Sequence, residues 1–126
     1  MIMEILIGST FPISLIRRKV TIEPSDICEL RRKAAISQIF SFWGHDNTVS
    51  AAGKLLGFDV TPKSQRPALV LNSEFLPELE GHIFTECWVV SPDYIAGFRP
   101  EIGSEVSSGK IIGWQILKMT WSRSND

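Results

Sequence analysis

The sequence predicts an α+β fold: a mixed β-sheet flanked by helices on one face. Two segments with helical periodicity lie among several segments of strand length, and the chain contains no internal repeat. A length of 126 residues, with 44% apolar and 21% charged, fits one globular domain spanning residues 1–126. We therefore expect a small single-domain protein built around one sheet.

Two strands are predicted at the start of the chain. MEILIGS (3–9) is short and apolar and stops at Gly8, whereas KVTIEP (19–24) alternates apolar and polar residues. Pro24 should end the second strand, because proline restricts the residue before it and cannot donate to a sheet ladder. The segment between the strands contains Pro12, which excludes a central strand there and predicts a connection or short turn.

Two helices are predicted in the next part of the chain. Ser25 is a candidate N-cap for a first helix over residues 26–40, and residues 40–43 form either a brief strand or the tail of that helix. The second helix should cover residues 47–56 and end at Gly57, where a C′ glycine belongs. The side chains expected to face the core are Ile27, Leu30, Ala34 and Ile36 in the first helix and Val49, Ala52, Leu55 and Leu56 in the second.

The second half of the chain reads mainly as strands and loops. ALVLN (68–72), HIFTECWVV (82–90) and IIGWQILKMTW (111–121) are apolar or alternating and predict three strands. The acidic segment 74–81 is predicted as a loop. Residues 91–110 are rich in proline, glycine and polar side chains, and they should form a long loop of the kind that is often functional.

Charge and composition exclude several classes of function. A net charge of −1 argues against non-specific binding of duplex nucleic acid, which needs a basic surface. No apolar run approaches the ~20 residues of a membrane span, and the first residues lack the basic and apolar regions of a signal peptide. We therefore expect a cytoplasmic protein that does not bind membranes. Cys28 and Cys87 fit no metal-ligand spacing and are expected to be buried free thiols.

The segment GHDNT (44–48) places a histidine at the start of the second helix. A helix that begins at Asp46, Asn47 or Thr48 leaves its first N–H groups unpaired, and these groups form an anion site beside His45. Gly44 has no side chain to block the approach of a ligand to the backbone. A histidine beside a bound phosphate can donate a proton to a leaving oxygen or hold the charge. The alternative is that Asp46 or Asn47 caps the helix and His45 packs as a polar boundary residue.

GHDNTVSAAGKLLG (44–57) resembles the Gly-His-Asp/Glu-Ser-Thr segment and the following helix of the viral type III anti-CRISPR ring nucleases. Three weaker agreements keep the same order along the chain. STFPISLI (9–16) is similar to the start of that family, QRPALVL (65–71) to its Asn-Arg pair before a strand, and GFRPEIG (97–103) to its Arg-Pro/Leu-Glu-Glu-Gly turn. The histidine segment is the specific one of the four.

The resemblance implies a homodimer that binds cyclic tetra-adenylate, a cyclic oligoadenylate messenger, across its two-fold axis. Such proteins cut the ring without metal or cofactor, by attack of a ribose 2′-hydroxyl on the neighbouring phosphate, and so counter type III CRISPR immunity. By this resemblance His45 is the general acid on the leaving 5′ oxygen, and Glu101 supports the reaction. A virus-encoded protein of this kind would act in the host-cell cytoplasm. The residues implied to bind the ligand are Ser9, Thr10, Gly44, Asp46, Asn47, Thr48, Arg66 and Arg99.

Two alternatives remain open on the sequence. Ile102 stands where the family has its second glutamate, which favours a non-catalytic sponge that sequesters a cyclic nucleotide signal. Pro12 replaces a serine, and this departure leaves open a different cyclic nucleotide, slower cleavage or binding without cleavage. The other alternative is a protein-interaction module without a small ligand, with Trp88, Trp114 and Trp121 at its interface, because aromatic residues are enriched at interfaces.

Overall fold

The described residues form eight strands and two α-helices. The computed structural model describes residues 3–44, 46–62, 68–99, 106 and 108–122. In chain order the elements are β1 (Met3–Gly8), β2 (Val20–Ser25), α1 (Ile27–Ala35), β3 (Ser37–Ser41), α2 (Asp46–Leu56), β4 (Val70–Leu71), β5 (Pro77–Leu79), β6 (His82–Ile83), β7 (Glu86–Tyr94) and β8 (Ile111–Trp121). None of the described helices is long and apolar enough to cross a membrane.

The central sheet has five strands in the order β2-β8-β7-β1-β3. β1 pairs in parallel with both β3 and β7, whereas β8 pairs antiparallel with β7 and with β2. A second, smaller sheet has the order β4-β5-β6. Because β1, β3 and β7 are parallel, their carboxyl ends meet at one end of the central sheet, and this end is where the candidate site lies.

The two faces of the central sheet are covered differently. Both helices pack on one face, where Leu30 of α1 and Ala52 of α2 join Ile5 and Trp88 of the sheet in one core cluster. The small sheet covers part of the other face through wholly or almost wholly buried side chains such as Leu79. The predicted mixed α+β sheet with helices on one face is therefore confirmed. Burial on both faces also explains why β1 and β7 read as continuous apolar runs.

The first helix differs from its prediction at both ends. Asp26, not Ser25, is the N-cap, because its carboxylate accepts a hydrogen bond of 2.8 Å from the Glu29 N–H. Ser25 instead donates from its hydroxyl to the Glu29 carboxylate, at 2.8 Å. The helix ends at Ala35, and Ile36, expected to face the core, is 66% exposed. The next residues form β3, which takes its backbone hydrogen bonds from β1 rather than from a continued helix.

Four further expectations are corrected. Pro24 lies inside β2 opposite Leu117, and the sheet tolerates it because β2 is an edge strand with one unpaired side. The predicted acidic loop contains β5, whose apolar side chains pack under the central sheet. β7 continues to Tyr94, which shortens the predicted long loop. Of the two cysteines, Cys87 is buried as expected, but Cys28 is exposed on α1.

Candidate functional site

A concave cavity of about 250 Å³ lies at the carboxyl ends of the parallel strands. It brings together residues from the end of β1, the first turn of α2 and the second half of β7. The lining residues are Ser9, Thr10, Asn47, Thr48, Ser91, Pro92 and Tyr94. The first four were assigned to ligand binding from the sequence, and they come from two motifs far apart along the chain. The sequence therefore located two of the three walls of this pocket.

The pocket forms because β1 ends earlier along the sheet than its neighbour β7. Pairing between β1 and β7 stops at Gly8 and Val89, while β7 runs on to Tyr94 beside β8 alone. The chain after β1 leaves the sheet, and the only described side-chain bond across the gap joins the Ser91 hydroxyl to the Ser9 carbonyl, at 2.7 Å. A crevice outside the carboxyl ends of parallel strands, where adjacent chains diverge, is a common location for ligands.

Close packing at the end of β1 fixes the rim of the pocket. A Cβ atom on Gly8 would lie 2.6 Å from the Phe42 ring, so only glycine fits there without displacing that ring. The Phe42 N–H also donates to the Ile7 carbonyl, at 3.0 Å. The segment that leads into α2 is thereby held against β1, and the helix starts beside the Ser9–Thr10 corner.

The first turn of α2 is anchored to the core. The Trp43 indole N–H donates to the Thr48 hydroxyl at 2.9 Å, and both side chains are at most 2% exposed. Val106, in the loop after β7, donates its backbone N–H to the Asn47 carbonyl at 2.7 Å. The start of α2 is therefore held on one side by the core and on the other by Val106. A fixed helix N-terminus is a suitable place for an anion, since its first N–H groups and the helix dipole attract negative charge.

The Ser9 hydroxyl is an unpaired polar group in the pocket wall. Ser9 is 3% exposed, and its Oγ has no hydrogen-bond partner among the described residues. A buried hydroxyl without a partner costs about 1–3 kcal/mol. A ligand atom able to accept or donate a hydrogen bond would remove that cost. This is an independent observation, beside the helix start, that the pocket is suited to a polar ligand.

The described pocket walls carry no formal charge. They offer hydroxyl groups, an amide and one phenol, and burial raises the pKa of Tyr94, so its hydroxyl stays protonated at neutral pH. Arg99 is exposed, is not one of the lining residues and forms no ion pair with the described part of the chain. These walls are suited to hydrogen-bonding an oxygen-rich ligand.

The other predicted site residues are placed less fully. Gly44 is exposed, and a Cβ atom there would meet no described atom within 4 Å, so packing does not require glycine at this position. Asp46 is the first residue of α2. His45, Arg66 and Glu101 lie outside the described residues.

Sequence reasoning missed the β7 wall of the pocket. Ser91, Pro92 and Tyr94 were assigned to a loop, but they continue the strand to its end. Apolar and polar residues continue to alternate through V-S-P-D-Y (90–94), and this pattern would have predicted the continued strand. Pro92 obscured that signal, although a proline is tolerated where one side of the strand is open.

Other candidate features are structural. The His82 ring lies 2.9 Å from the Glu4 carboxylate and packs on the Phe40 ring at 4.5 Å between centroids, so its contacts lie outside the pocket. Trp88 and Trp121 are at most 2% exposed, and Trp114 packs against the helix-side core. Trp88 and Trp121 are thus core residues, and Trp114 is partly buried against the core. No group of three potential metal ligands occurs in the described part of the chain.

No protein-family model and no curated protein matches the chain. Among solved structures, the fold is similar to that of B116 of Sulfolobus turreted icosahedral virus, with a TM-score of 0.54. Sequence identity is 18%, and the match covers 94% of this chain and 99% of B116. At this identity the similarity concerns the fold alone. It shows that a viral protein has the same fold over almost its whole length.

Proposed function

We propose that this protein binds a cyclic oligoadenylate, with cyclic tetra-adenylate the first candidate, and cleaves it as a metal-independent ring nuclease that counters type III CRISPR immunity. One observation carries the proposal. The pocket gathers Ser9, Thr10, Asn47 and Thr48, which the sequence resemblance assigns to ligand binding from two separate motifs. The fold similarity to a viral protein agrees with an origin in a virus.

The pocket chemistry suits the phosphodiester of such a ring. The N–H groups at the start of α2 and the Ser9 and Thr10 hydroxyls can donate hydrogen bonds to phosphate oxygens. These fixed donors would offset the negative charge that develops on the phosphorane. Val106 donates its backbone N–H to the carbonyl of Asn47, which is itself a lining residue of the pocket.

The proposed reaction is an internal transesterification. The ribose 2′-oxygen forms a bond to the adjacent phosphorus, the bond from phosphorus to the 5′ oxygen breaks, and a 2′,3′-cyclic phosphate remains. His45 donates a proton to the leaving 5′ oxygen, a step worth about 10²–10⁴-fold in rate. The Glu101 carboxylate is the candidate acceptor of the 2′-hydroxyl proton, and Arg99 and Arg66 are candidate phosphate ligands. In-line positioning of the two oxygens supplies a further large entropic advantage.

The size of the pocket argues for two copies of it per ligand. A volume of about 250 Å³ is below the roughly 300–1,000 Å³ of pockets that enclose a drug-sized ligand, and a ring of four nucleotides is larger still. A ring with near two-fold symmetry is matched by two identical pockets across an isologous interface. We therefore propose a homodimer, which light scattering should detect as twice the 14.1 kDa mass of the chain.

A non-catalytic sponge is the second candidate, and the neutral pocket walls favour it. The polar lining residues can hydrogen-bond an oligonucleotide, but none of the described lining residues is a general acid or base near neutral pH. Catalysis therefore depends on His45 and Glu101, whereas binding has support from the described pocket itself. The two functions share a ligand and differ only in turnover.

Incubation with cyclic tri-, tetra- and hexa-adenylate in the presence of EDTA, followed by chromatography, tests the proposal. We expect linear products that end in a cyclic phosphate, formed in excess over the protein. Tight binding without product would assign the protein to the sponge class. If none of the rings raises the melting temperature of the protein or is consumed, the pocket does not serve this ligand class and the proposal fails.

A further inference from the structure

Two aromatic rings and a lysine form a cluster beside the pocket, called here the aromatic shelf: Tyr94, Phe98 and Lys110. The Tyr94 and Phe98 ring centroids are 5.3 Å apart with an interplanar angle of 55°, and Lys110 Nζ lies 5.7 Å from the Phe98 centroid. Tyr94 also lines the pocket itself. The shelf is therefore continuous with the polar site.

The backbone holds the shelf in place. The Ile95 N–H donates to the Lys110 carbonyl at 2.9 Å, and the Phe98 N–H donates to the Ile95 carbonyl at 3.1 Å. The turn between these bonds uses Gly97 at a φ of +79°, a conformation that other residues rarely adopt. Ile95 and Lys110 are thus joined at the base of the shelf, which fixes the backbone from which the two rings extend.

The two rings are not part of the hydrophobic core. Neither core cluster includes Tyr94 or Phe98, and both side chains are only partly buried. Most of the other large aromatic side chains pack on a face of the central sheet, for example Trp43 on the helix side and Phe84 on the other. Partly exposed aromatic rings beside a polar cavity, with a cation over one of them, are the usual components of a nucleobase-stacking site.

We propose that the aromatic shelf is a base-stacking subsite of the pocket. This inference rests on the proposed function, because it assigns the base of the same ligand. A nucleobase of the bound oligonucleotide stacks on Tyr94 or Phe98 while its phosphate occupies the polar pocket beside α2. Lys110, together with the exposed Arg99, is in place to face the next phosphate along the chain. Stacking on one aromatic side chain contributes about 5- to 150-fold in affinity per base.

The test combines a protein change with a ligand change. Tyr94→Leu and Phe98→Leu remove stacking but keep apolar volume, and Tyr94→Trp should restore it. Phe75→Leu is the matched control, since Phe75 is an exposed aromatic residue, 47% exposed, that is not part of the shelf or the pocket. The ligands are cyclic tetra-adenylate and the same ring with one base removed, and affinities are measured by titration. Circular dichroism confirms that each variant is folded.

We expect Tyr94→Leu or Phe98→Leu to weaken binding of the complete ring by about 5- to 150-fold. The loss should be smaller for the ring that lacks a base, and Phe75→Leu should bind as the wild type does. A 2-aminopurine ring should lose fluorescence on the wild type and less on the weakened variant. If the complete ring binds and neither leucine variant changes its affinity or quenching, the shelf is not a base subsite while the proposed function stands. If no ring binds the wild type, both fail together.

Discussion

Two groups of buried polar side chains lie on the central sheet, one beneath α1 and one beside α2. Beneath α1, the Glu86 carboxylate accepts a hydrogen bond of 2.7 Å from the Trp88 indole and lies 3.5 Å from Lys33 Nζ. Beside α2, the Ser9 hydroxyl is as deeply buried as Glu86, but it has no partner among the described residues. Glu86 and Ser9 are buried to a similar extent, but only Glu86 has a hydrogen-bond partner in the described part of the chain.

The contrast extends to the neighbours of each group. Beneath α1, Lys118 lies over the Trp88 ring at 5.5 Å and reaches Glu29 at 3.9 Å, so charges of both signs are paired across helix and sheet. The described walls of the pocket beside α2 carry no formal charge, and the pocket is open to solvent. Buried polar groups are normally satisfied, and an exception beside a cavity needs an explanation. The paired group stabilises the fold, whereas the unpaired one is available to a ligand.

The largest expected effect is on turnover and concerns His45. His45→Ala should lower the rate of ring cleavage by about 10²-fold or more, because the leaving oxygen loses its proton donor. Ring affinity should stay close to that of the wild type, since the donors at the start of α2 remain. Single-turnover cleavage and equilibrium titration separate the two quantities.

His82→Ala is the matched control, because the other histidine contacts Glu4 and Phe40 away from the pocket. Its cleavage rate per folded molecule should be unchanged. A collapse of affinity in His45→Ala would make His45 an anchor for the ligand and not an acid. An unchanged rate in His45→Ala would mean that His45 is only a polar residue at the helix boundary.

The next effect is on stability and concerns the paired group. Glu86→Ala should lower the free energy of unfolding by about 1–3 kcal/mol, because the Trp88 indole N–H is left buried without its acceptor. Chemical denaturation measures this change. Ligand affinity should not respond, since Glu86 is not a lining residue of the pocket. Glu23→Ala, at an exposed position of the edge strand β2, should be close to neutral. If Glu86→Ala is also neutral, the paired group beneath α1 does not stabilise the fold.

The smallest effect is expected from Ser9→Ala, which should lower ligand affinity without lowering the stability of the fold. Ser9→Ala removes an unsatisfied hydroxyl, so the free energy of unfolding should stay the same or rise slightly. Ligand affinity should fall by roughly 3- to 10-fold, the value of one hydrogen bond. Calorimetric titration together with denaturation measures both.

Ser37 provides the control for Ser9, because its hydroxyl is also buried without a described partner but lies at the opposite end of β1, beside Met3. Ser37→Ala should leave ligand affinity unchanged. Equal losses in the two variants would mean that the Ser9 hydroxyl has no special relation to the pocket.

Local signals explain which parts of the fold were predictable. β1, α2 and Gly57, with its φ of +82° and its N–H bonded to the Gly53 carbonyl, follow from periodicity and capping within a few residues. β3 was misassigned to a helix because its strand character depends on pairing with β1, which is distant in sequence. β5 was hidden by the acidic residues around Leu76 and Leu79, whose burial depends on the central sheet above them.

The site was predictable to a similar extent. The resemblance selected Ser9 and Thr48, and the structure brings them to one pocket. Tyr94 was missed, because only the unequal lengths of β1 and β7 turn the end of that strand into a pocket wall. The missing partner of the Ser9 hydroxyl could not be inferred from sequence either, since it depends on the positions of atoms from several elements.

The hydrogen bond from the Val106 amide to the Asn47 carbonyl has a consequence for spectroscopy. Val106 is 4% exposed, so its amide proton can exchange with solvent only when the loop separates from the start of α2. One backbone resonance therefore reports how often that junction opens. A ligand held at the first turn of α2 would slow this exchange even where it contacts neither residue, which makes Val106 an occupancy reporter that needs no label on the ligand.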